Sequence, residues 1–588
     1  MIIDKLTELR QMMQERNIDA YIVTTSDPHQ SEYLADYYKT REFITGFSGS
    51  YGTFVITENK AGLWTDSRYF IQAERQLEYS TIELYKMGVK GQISYEEFLK
   101  NEVNEFGKIG FNGECFSISE YKSLSEKMGN RMLISDLSYV EDMWKNRPSL
   151  PDSKIWIYDQ KYTGESLESK LKRLRKIMKE RDYDYTFIAA PEDICYLLNI
   201  RGDDVSYNPI VLSYMLISQN RAYLCIDQSK LDDDIKEYFA ENNIKIQSYN
   251  YIYDLLRDIK GQSRIYLDPK RTNVNIYESI NSNVRIITGT NLVTQMKAIK
   301  NKIELSNEKK AYLTDCKTLI KFFRWVETGV ITGNLTESLA SKKLLDLRKQ
   351  NKNFIEESFE TIAAYKENAA IVHYSPTRSI SKTLKNSGLF LVDSGAHYLE
   401  GTTDITRTIV LGELTDKEKE DYTIVLKSLI MLSKAIFKEG TNGQRLDAFC
   451  KYQMWQNKRD YFHGTGHGIG FSLTVHEGPQ SISQNSNVIF RENMTSSIEP
   501  GIYVENSHGI RLENEVYVKE IEENEFGKFL GFETLTFLPI DTRAIKKDML
   551  NDDEIEWLNN YNTKCREELS PLLEGGDLQY LEMMTKEI

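Results

Sequence analysis

The chain has 588 residues, which at about 150 residues per domain suggests three or four domains, so the size of the hydrophobic core is not limiting. Lysine and arginine total 74 against 88 aspartates and glutamates, a formal net charge of −14 with no basic block, and this excludes a general nucleic-acid binder, which needs a basic face for phosphate. The longest apolar runs, such as 389–392 and 424–426, fall far short of the roughly 18 residues that span a bilayer, so no membrane span is predicted.

The start, Met1-Ile2-Ile3-Asp4-Lys5, leads into an amphipathic helix carrying Glu8 and Arg10. It resembles neither a signal peptide's apolar stretch nor an acid-poor transit peptide, and the expectation is a mature cytoplasmic protein. Six cysteines lie at least thirty residues apart without a CxxC pair, so neither a disulfide framework nor a zinc knuckle is expected.

A repeat organises the first half. The segment 5–16, KLTELRQMMQER, and the segment 170–181, KLKRLRKIMKER, agree at seven of twelve positions. In both, apolar residues recur at i, i+3 and i+7, which is one buried helical stripe. An aspartate (Asp19, Asp184) then leads into an apolar strand, 20–23 or 186–190, followed by a proline, a Tyr-Leu pair and a further strand, 52–57 or 210–217. Helices with this pattern also recur by chance, but the shared order of the later features supports two related α/β domains, about 1–150 and 151–300, each a mixed sheet flanked by helices.

From about 300 the pattern changes. Helices are predicted over 302–328, 335–349 and 415–438, the last opening with a Thr415-x-x-Glu418 capping box and stopping at Gly440, and short strands over 363–365, 389–393 and 404–411. Six of the seven histidines lie between 373 and 508, so chemistry is expected in this third region, 301–588.

The stretch Phe390-Leu391-Val392-Asp393 is an apolar strand ending in a carboxylate, and Asp404-Ile405-Thr406-Arg407-Thr408-Ile409 is an alternating strand beginning with one. A hairpin between them would bring Asp393 and Asp404 together across neighbouring strands. Taken alone, the pair also reads as a hairpin with solvated acids. His463-Gly464-Thr465-Gly466-His467-Gly468-Ile469-Gly470 has glycine at every second position and no Glu at the HExxH place, so it is neither a helical zinc pair nor a GxGxxG loop. Its glycines suit a backbone passing close to a ligand or another strand. Glu499 before Pro500-Gly501 and Glu513 after Arg511-Leu512 add two acids at strand ends.

Together, Asp393, Asp404, Glu499 and Glu513 carry four negative charges and His467 none, which balances two divalent cations. Oxygen-rich donors with one imidazole favour Mn²⁺, with Co²⁺ or Zn²⁺ also compatible. Two such ions bridged by carboxylates can activate water for hydrolysis. No GxSxG elbow, Walker-A loop or recognisable catalytic cysteine is present; Ser48 in Gly46-Phe47-Ser48-Gly49-Ser50 has the wrong spacing.

These residues resemble the pita-bread metallopeptidases (peptidase family M24), specifically the three-domain Xaa-Pro aminopeptidases (aminopeptidase P). The resemblance spans nearly the whole chain, including 26–33, 64–70, 201–209 and 557–561, and is most specific at Val392-Asp393-Ser394-Gly395, Thr403-Asp404-Ile405-Thr406-Arg407-Thr408, 464–470, Ile498-Glu499-Pro500-Gly501 and Arg511-Leu512-Glu513-Asn514. It departs at Ser48 and Tyr51, away from the metal set.

The resemblance implies an α/β (α+β) fold of two creatinase-type domains and a pita-bread catalytic domain. It makes Asp393 a ligand of one metal, His467 and Glu499 ligands of the other, and Asp404 and Glu513 bridges, with Glu499 also handling the proton of the bridging water. It places His373 and His476 near the scissile carbonyl and leaving nitrogen, His463 beside a proline pocket, and Arg68 near the active site, often that of a neighbouring subunit. The implied substrates are peptides with proline second, and a homodimer is implied. A prolidase restricted to dipeptides, a creatinase-like amidinohydrolase and a non-catalytic pita-bread binding protein are the competing readings. The first conflicts with the repeated α/β pair, and the other two with an intact ligand set.

Overall fold

In the computed structural model, which describes residues 1–376 and 381–588, the first repeat opens with α1 (Ile2–Glu15). Leu6, Leu9 and Met13 form its buried stripe. The strands β1 (Ala20–Thr24), β2 (Thr53–Thr57), β3 (Ala61–Thr65), β4 (Glu83–Lys86), β5 (Lys108–Phe111) and β6 (Met132–Ile134) form one sheet in the order β4-β3-β2-β1-β5-β6.

The second repeat begins with α2 (Leu167–Glu180), capped by Ser166 and burying Leu171, Leu174 and Met178 at the same spacing. Its strands β7 (Tyr185–Ile188), β8 (Ser213–Ser218), β9 (Ala222–Ile226), β10 (Ile244–Ser248), β11 (Arg264–Leu267) and β12 (Arg285–Thr288) form a second sheet in the order β10-β9-β8-β7-β11-β12. Position for position this is the order of the first sheet. The pairing senses also match, with β1 antiparallel to β2 and parallel to β5 as β7 is to β8 and β11. The two repeats are therefore one supersecondary plan built twice.

The chain forms two compact units, Met1–Asp159 with Glu165–Thr294, which holds both sheets, and Gln160–Gly164 with Gln295–Ile588. The second unit is organised by α3 (Lys302–Thr332), which Asn301 opens through a reciprocal capping box and Gly333 closes in the left-handed conformation (φ +76°). α4 (Glu337–Arg348) follows. The strands β13 (Phe354–Glu357), β14 (Ile362–Tyr365), β15 (Leu389–Ser394), β16 (Ala396–Tyr398), β17 (Gly401–Thr402) and β18 (Ile405–Val410) make two three-stranded sheets, β13-β16-β17 and β14-β15-β18.

α5 (Asp416–Ser433) starts at the expected Thr415/Glu418 box but ends five residues before the expected limit at Lys438. There β19 (Phe437–Lys438) leaves the helix to pair with β26 (Gly527–Thr534) and to bury Phe437. That strand contact outweighs the local helical pattern, and Gly440 (φ +92°) lies just beyond the strand, not at a helix end. After α6 (Gly443–Gln456) come β20 (Gly466–Gly468), β21 (Glu477–Ile482), β22 (Thr495–Ile498), β23 (Gly501–Val504), β24 (His508–Arg511) and β25 (Asn514–Asn524). The sheet β19-β26-β25-β22 and the ribbons β20-β21 and β23-β24 complete the second unit, with α7 (Asp552–Leu569) packed on the same core through Leu558 and Leu569. No helix of the described residues is long and apolar enough to cross a membrane.

Candidate metal centre

Two antiparallel strands deliver the first pair of acids. β15, apolar and wholly buried, carries Asp393 at its end, and β18 begins one residue after Asp404. Asp393 faces Thr406 in the register, so Asp404 lies diagonally across from it. The hairpin between them is held from beneath by a fully buried ion pair, in which Arg348 of α4 donates to both carboxylate oxygens of Asp315 of α3 (2.9 and 2.8 Å). Arg348 also donates to the Gly395 carbonyl and to Ser394 Oγ (both 3.0 Å), while Asp315 accepts from Thr403 Oγ1 (2.8 Å) and Tyr398 Oη (2.9 Å). Every one of these contacts lies between the two aspartates in the chain. Gly395 has no alternative, since a Cβ there would sit 1.9 Å from the Thr403 carbonyl oxygen.

His467 is the middle residue of β20, extended as the alternating glycines predict. A Cβ on Gly466 would lie 1.9 Å from the Ser497 carbonyl oxygen, so glycine lets this strand touch β22. Glu499 follows β22, its amide donating to the Thr465 carbonyl (2.8 Å), and Glu513 precedes β25, its amide donating to the Thr406 carbonyl (3.1 Å). Arg407, itself buried, locks this corner. Its guanidinium donates to the Glu513 carbonyl (2.5 Å), to Asn514 Oδ1 (2.8 Å) and to Tyr561 Oη of α7 (2.8 Å). The Trp557–Tyr561 segment is thereby tied to the acid cluster.

The side chains converge. Oxygen and nitrogen donors of Asp404, His467 and Glu513 all lie within 4.8 Å of one another. His467 Nε2 is 3.5 Å from Asp404 Oδ2 and 3.4 Å from Glu499 Oε1. Asp393 Oδ2 accepts from Arg511 (2.5 Å), and its Oδ1 is buried without a hydrogen-bond partner among the described residues. Burial, and then the charge of Asp393, pushes the Asp404 carboxyl well up; burial and Asp404 do the same to Glu513. Burial and Glu513 push Glu499 up to about 8, against the opposing pull of His467. Buried acids that repel one another beside an unpartnered carboxylate oxygen are a set that cations would satisfy, and the donors are the hard oxygens and single imidazole that suit divalent ions.

A pH dependence follows for the metal-free chain. Asp404, Glu499 and Glu513 each have a folded pKa above the ordinary carboxylate value of about 4, so the folded state holds more protons than the unfolded one above that pH. The stabilisation from Glu499 is full below about pH 4.5 and is lost as the pH rises through about 8, and Asp404 and Glu513, also raised, act in the same direction. Thermal melts of EDTA-treated protein should fall between about pH 5 and 8, and added Mn²⁺ should flatten that fall by replacing protons with cation charge. A melting temperature indifferent to pH without metal would contradict this electrostatic account.

The histidines differ in placement. His476 meets His467 edge-on, ring centroids 4.2 Å apart. It is followed by buried Glu477, whose carboxylate takes Lys297 (2.7 Å) and Lys300 (2.5 Å). His463 Nε2 is 2.9 Å from Tyr503 Oη. His373 lies three residues past the 3₁₀ turn Lys366–Ala370, against which β24 packs so closely that a Cβ on Gly509 would meet the Ala369 carbonyl oxygen at 1.7 Å. Arg68 belongs to the other compact unit, where it donates to both oxygens of Asp66 (2.9 and 2.6 Å).

Two residues absent from the sequence-level set join this centre. Arg511 bridges Asp393 and Tyr503 Oη (2.7 Å), and Tyr503 continues to His463, forming the relay Asp393–Arg511–Tyr503–His463. Burial pushes the Tyr503 hydroxyl up to about 12 although Arg511 opposes it, so the phenol stays protonated and can donate. Arg511 also offsets one of the four negative charges. Its place in the Arg511-Leu512-Glu513 motif was the available signal, but its partner lies 118 residues away.

Comparison with known proteins places this geometry. The creatinase/prolidase N-terminal domain matches residues 5–143 and, in a second form, 146–304. Metallopeptidase family M24 matches 307–520, and the C-terminal region of peptidase M24 matches 528–588. Fold and site thus define a metallopeptidase of the pita-bread class behind two creatinase-type domains. Aminopeptidase P2 of Arabidopsis thaliana is 37% identical over 98% of this chain and 87% of its own length, and Xaa-Pro aminopeptidase 1 of Dictyostelium discoideum is 36% identical over 98% and 94%.

The chain belongs to the Xaa-Pro aminopeptidase family. Its fold matches the crystal structure of X-prolyl aminopeptidase from Caenorhabditis elegans, described as a cytosolic enzyme with a di-nuclear active site, with a TM-score of 0.95 over 100% of both chains at 33% identity. The prolidase of Pyrococcus horikoshii OT3, 26% identical with a TM-score of 0.50, covers 64% of this chain and 99% of its own. About a third of the present chain thus has no counterpart in that prolidase, and the dipeptidase reading fits less well.

Proposed function

We propose that this enzyme is a dinuclear metal-dependent aminopeptidase that hydrolyses the bond between the first residue of a peptide and a proline that follows it, in three domains, 1–150, 151–300 and 301–588. The observation that carries the reading is the convergence of five motifs, scattered over 120 residues, on one buried cluster in a chain that matches Xaa-Pro aminopeptidases end to end.

Asp393, Asp404, His467, Glu499 and Glu513 would together hold two divalent ions; Mn²⁺ is the preferred metal on the donor set, with Co²⁺ or Zn²⁺ as substitutes. When bound, the ions supply Lewis acidity and bring the pKa of water toward neutrality. The chain's own residues do the rest. Glu499 accepts a proton and returns it toward the leaving nitrogen, and Ser497 Oγ, 3.2 Å from Glu499 Oε1, fixes the rotamer in which it does so. His476, held beside His467, and His373 face the scissile carbonyl and leaving nitrogen. His463, supported by Tyr503, borders the proline ring. Proline suits such a site because its nitrogen carries no N–H and its φ is fixed, so a shaped pocket gains what a general peptidase loses. The enzyme is a cytoplasmic homodimer, and Arg68 reaches substrate from the N-terminal unit of a neighbouring subunit.

The test is product analysis with Mn²⁺-loaded protein. Free arginine should appear from Arg-Pro-Pro, and Xaa-Pro-Yaa tripeptides should be turned over faster than Xaa-Pro dipeptides. Preference for dipeptides would transfer the assignment to a prolidase. Sedimentation at micromolar concentration checks the dimer.

A further inference from the structure

The first compact unit holds a cleft of about 920 Å³ that the peptidase reading leaves without a task. One wall comes from the first repeat and the other from the second. The walls are built largely from segments that leave the carboxyl ends of parallel strands: Asn112, Glu114 and Cys115 after β5, Asp227 and Gln228 after β9, and Tyr249 and Asn250 after β10. In open α/β sheets that is where ligands bind, because loops diverge there and expose backbone and side-chain polar groups.

The lining has a distinct chemistry. Tyr37, Tyr38, Tyr214, Tyr249 and Tyr253 make it aromatic. Its acids are Glu114, Glu141, Asp142 and Asp227, and its bases are Arg147 and Lys230. Both bases are already engaged. Arg147 donates Nε to the Tyr37 carbonyl (2.8 Å) with its guanidinium 3.4 Å over the Tyr37 ring, and the buried Lys230 ammonium sits on Asp204 (2.5 Å). Asp227 is also engaged, capping its own turn through Ser229 N (2.9 Å).

Of the remaining acids, the exposed Asp142 accepts only long bonds from Ser138 Oγ (3.2 and 3.3 Å), and the other two have capacity to spare. Glu141 Oε1 accepts from Asn112 (2.8 Å), but its Oε2 is buried with no hydrogen-bond partner among the described residues. Glu114 takes only a long bond from Tyr253 Oη (3.2 Å) among the described contacts. Behind this wall Asp27 is fully buried and its Oδ2 also has no hydrogen-bond partner among the described residues. The surrounding field is negative: the Cys115 thiol is pushed well up, by burial first and then by Glu141, Glu114 and Asp27.

We propose that this cleft binds a small organic cation, an ammonium or guanidinium group carried on an apolar or aromatic body, with Glu141 and Asp142 meeting the charge and the tyrosines packing on the body. Tyrosine faces attract such cations, and carboxylates in the wall of a cleft are their natural partners. The same group could arrive as a free amine or as a basic side chain of a peptide, so two probes are needed.

Calorimetric titration of the metal-loaded, full-length enzyme with agmatine and with N-acetyl-arginine amide separates them. Neither should inhibit Arg-Pro-Pro hydrolysis competitively. Binding of agmatine alone assigns the cleft to free amines, and binding of both extends it to side chains. Glu141→Gln should weaken binding about tenfold or more while leaving peptidase turnover unchanged. Asp142→Asn, at an exposed position, should weaken it several-fold. No binding of either probe at about 10 mM, or binding that both variants leave unaltered, would overturn the proposal.

Discussion

Replacing Glu499 with glutamine should lower kcat for release of arginine from Arg-Pro-Pro by about 10³-fold or more while changing KM far less. A positioned acid–base group is worth roughly 10²–10⁴-fold, and this one is also a proposed metal ligand. Glu499 lies against His467 (3.4 Å) and receives Ser497 Oγ (3.2 Å), so its carboxylate is held in one place to take up and return a proton. Glutamine keeps the volume and the Ser497 contact but has no exchangeable acid. A loss in kcat without a matching rise in KM is the signature of an interaction made in the transition state. Asp404→Ala is the companion variant, expected to abolish turnover and to lower metal content, measured by inductively coupled plasma analysis of dialysed protein. Hydrolysis within tenfold of the parent in Glu499→Gln would remove Glu499 from the chemistry.

Arg348→Met should destabilise the protein by about 3–5 kcal/mol, because it leaves the Asp315 carboxylate buried and unpaired, and should melt it many degrees earlier. The variant tests more than stability. Since Arg348 and Asp315 together contact Ser394, Gly395, Tyr398 and Thr403, their loss frees the connection that sets the distance from Asp393 to Asp404. Groups that orient metal ligands without touching the metal typically carry 10–100-fold in affinity or activity. The double variant Arg348→Met with Asp315→Leu removes both charges and should recover much of the stability. If the pair positions the hairpin, activity and metal affinity stay low in the double variant; if both return with stability, its role is packing alone.

The helical stripe Leu6, Leu9, Met13 and its repeat Leu171, Leu174, Met178 were legible because helix burial follows a local period that survives in one dimension. The Thr415/Glu418 box was legible for the same reason, as its two partners are three residues apart. The end of α5 was not. Phe437 leaves the helical pattern for Leu530, nearly a hundred residues later, and no local propensity encodes that pairing.

The candidate site divides in the same way. Asp393, Asp404, His467, Glu499 and Glu513 were visible because each is flanked by residues that its own strand end needs: an apolar run, a glycine at a close approach, a proline after a turn. Arg511 was visible as a letter of a motif but not as the partner of Asp393, nor Tyr503 as the link from Arg511 to His463. Arg348 and Asp315 carried no signal, since a buried ion pair looks in sequence like any two charges on two helices. Residue types, their order and the repeat are properties of the chain and could be read from it directly. Which carboxylates share a field, which cations are already engaged and which buried oxygens have no partner depend on distances between segments a hundred residues apart, and only the folded structure sets those.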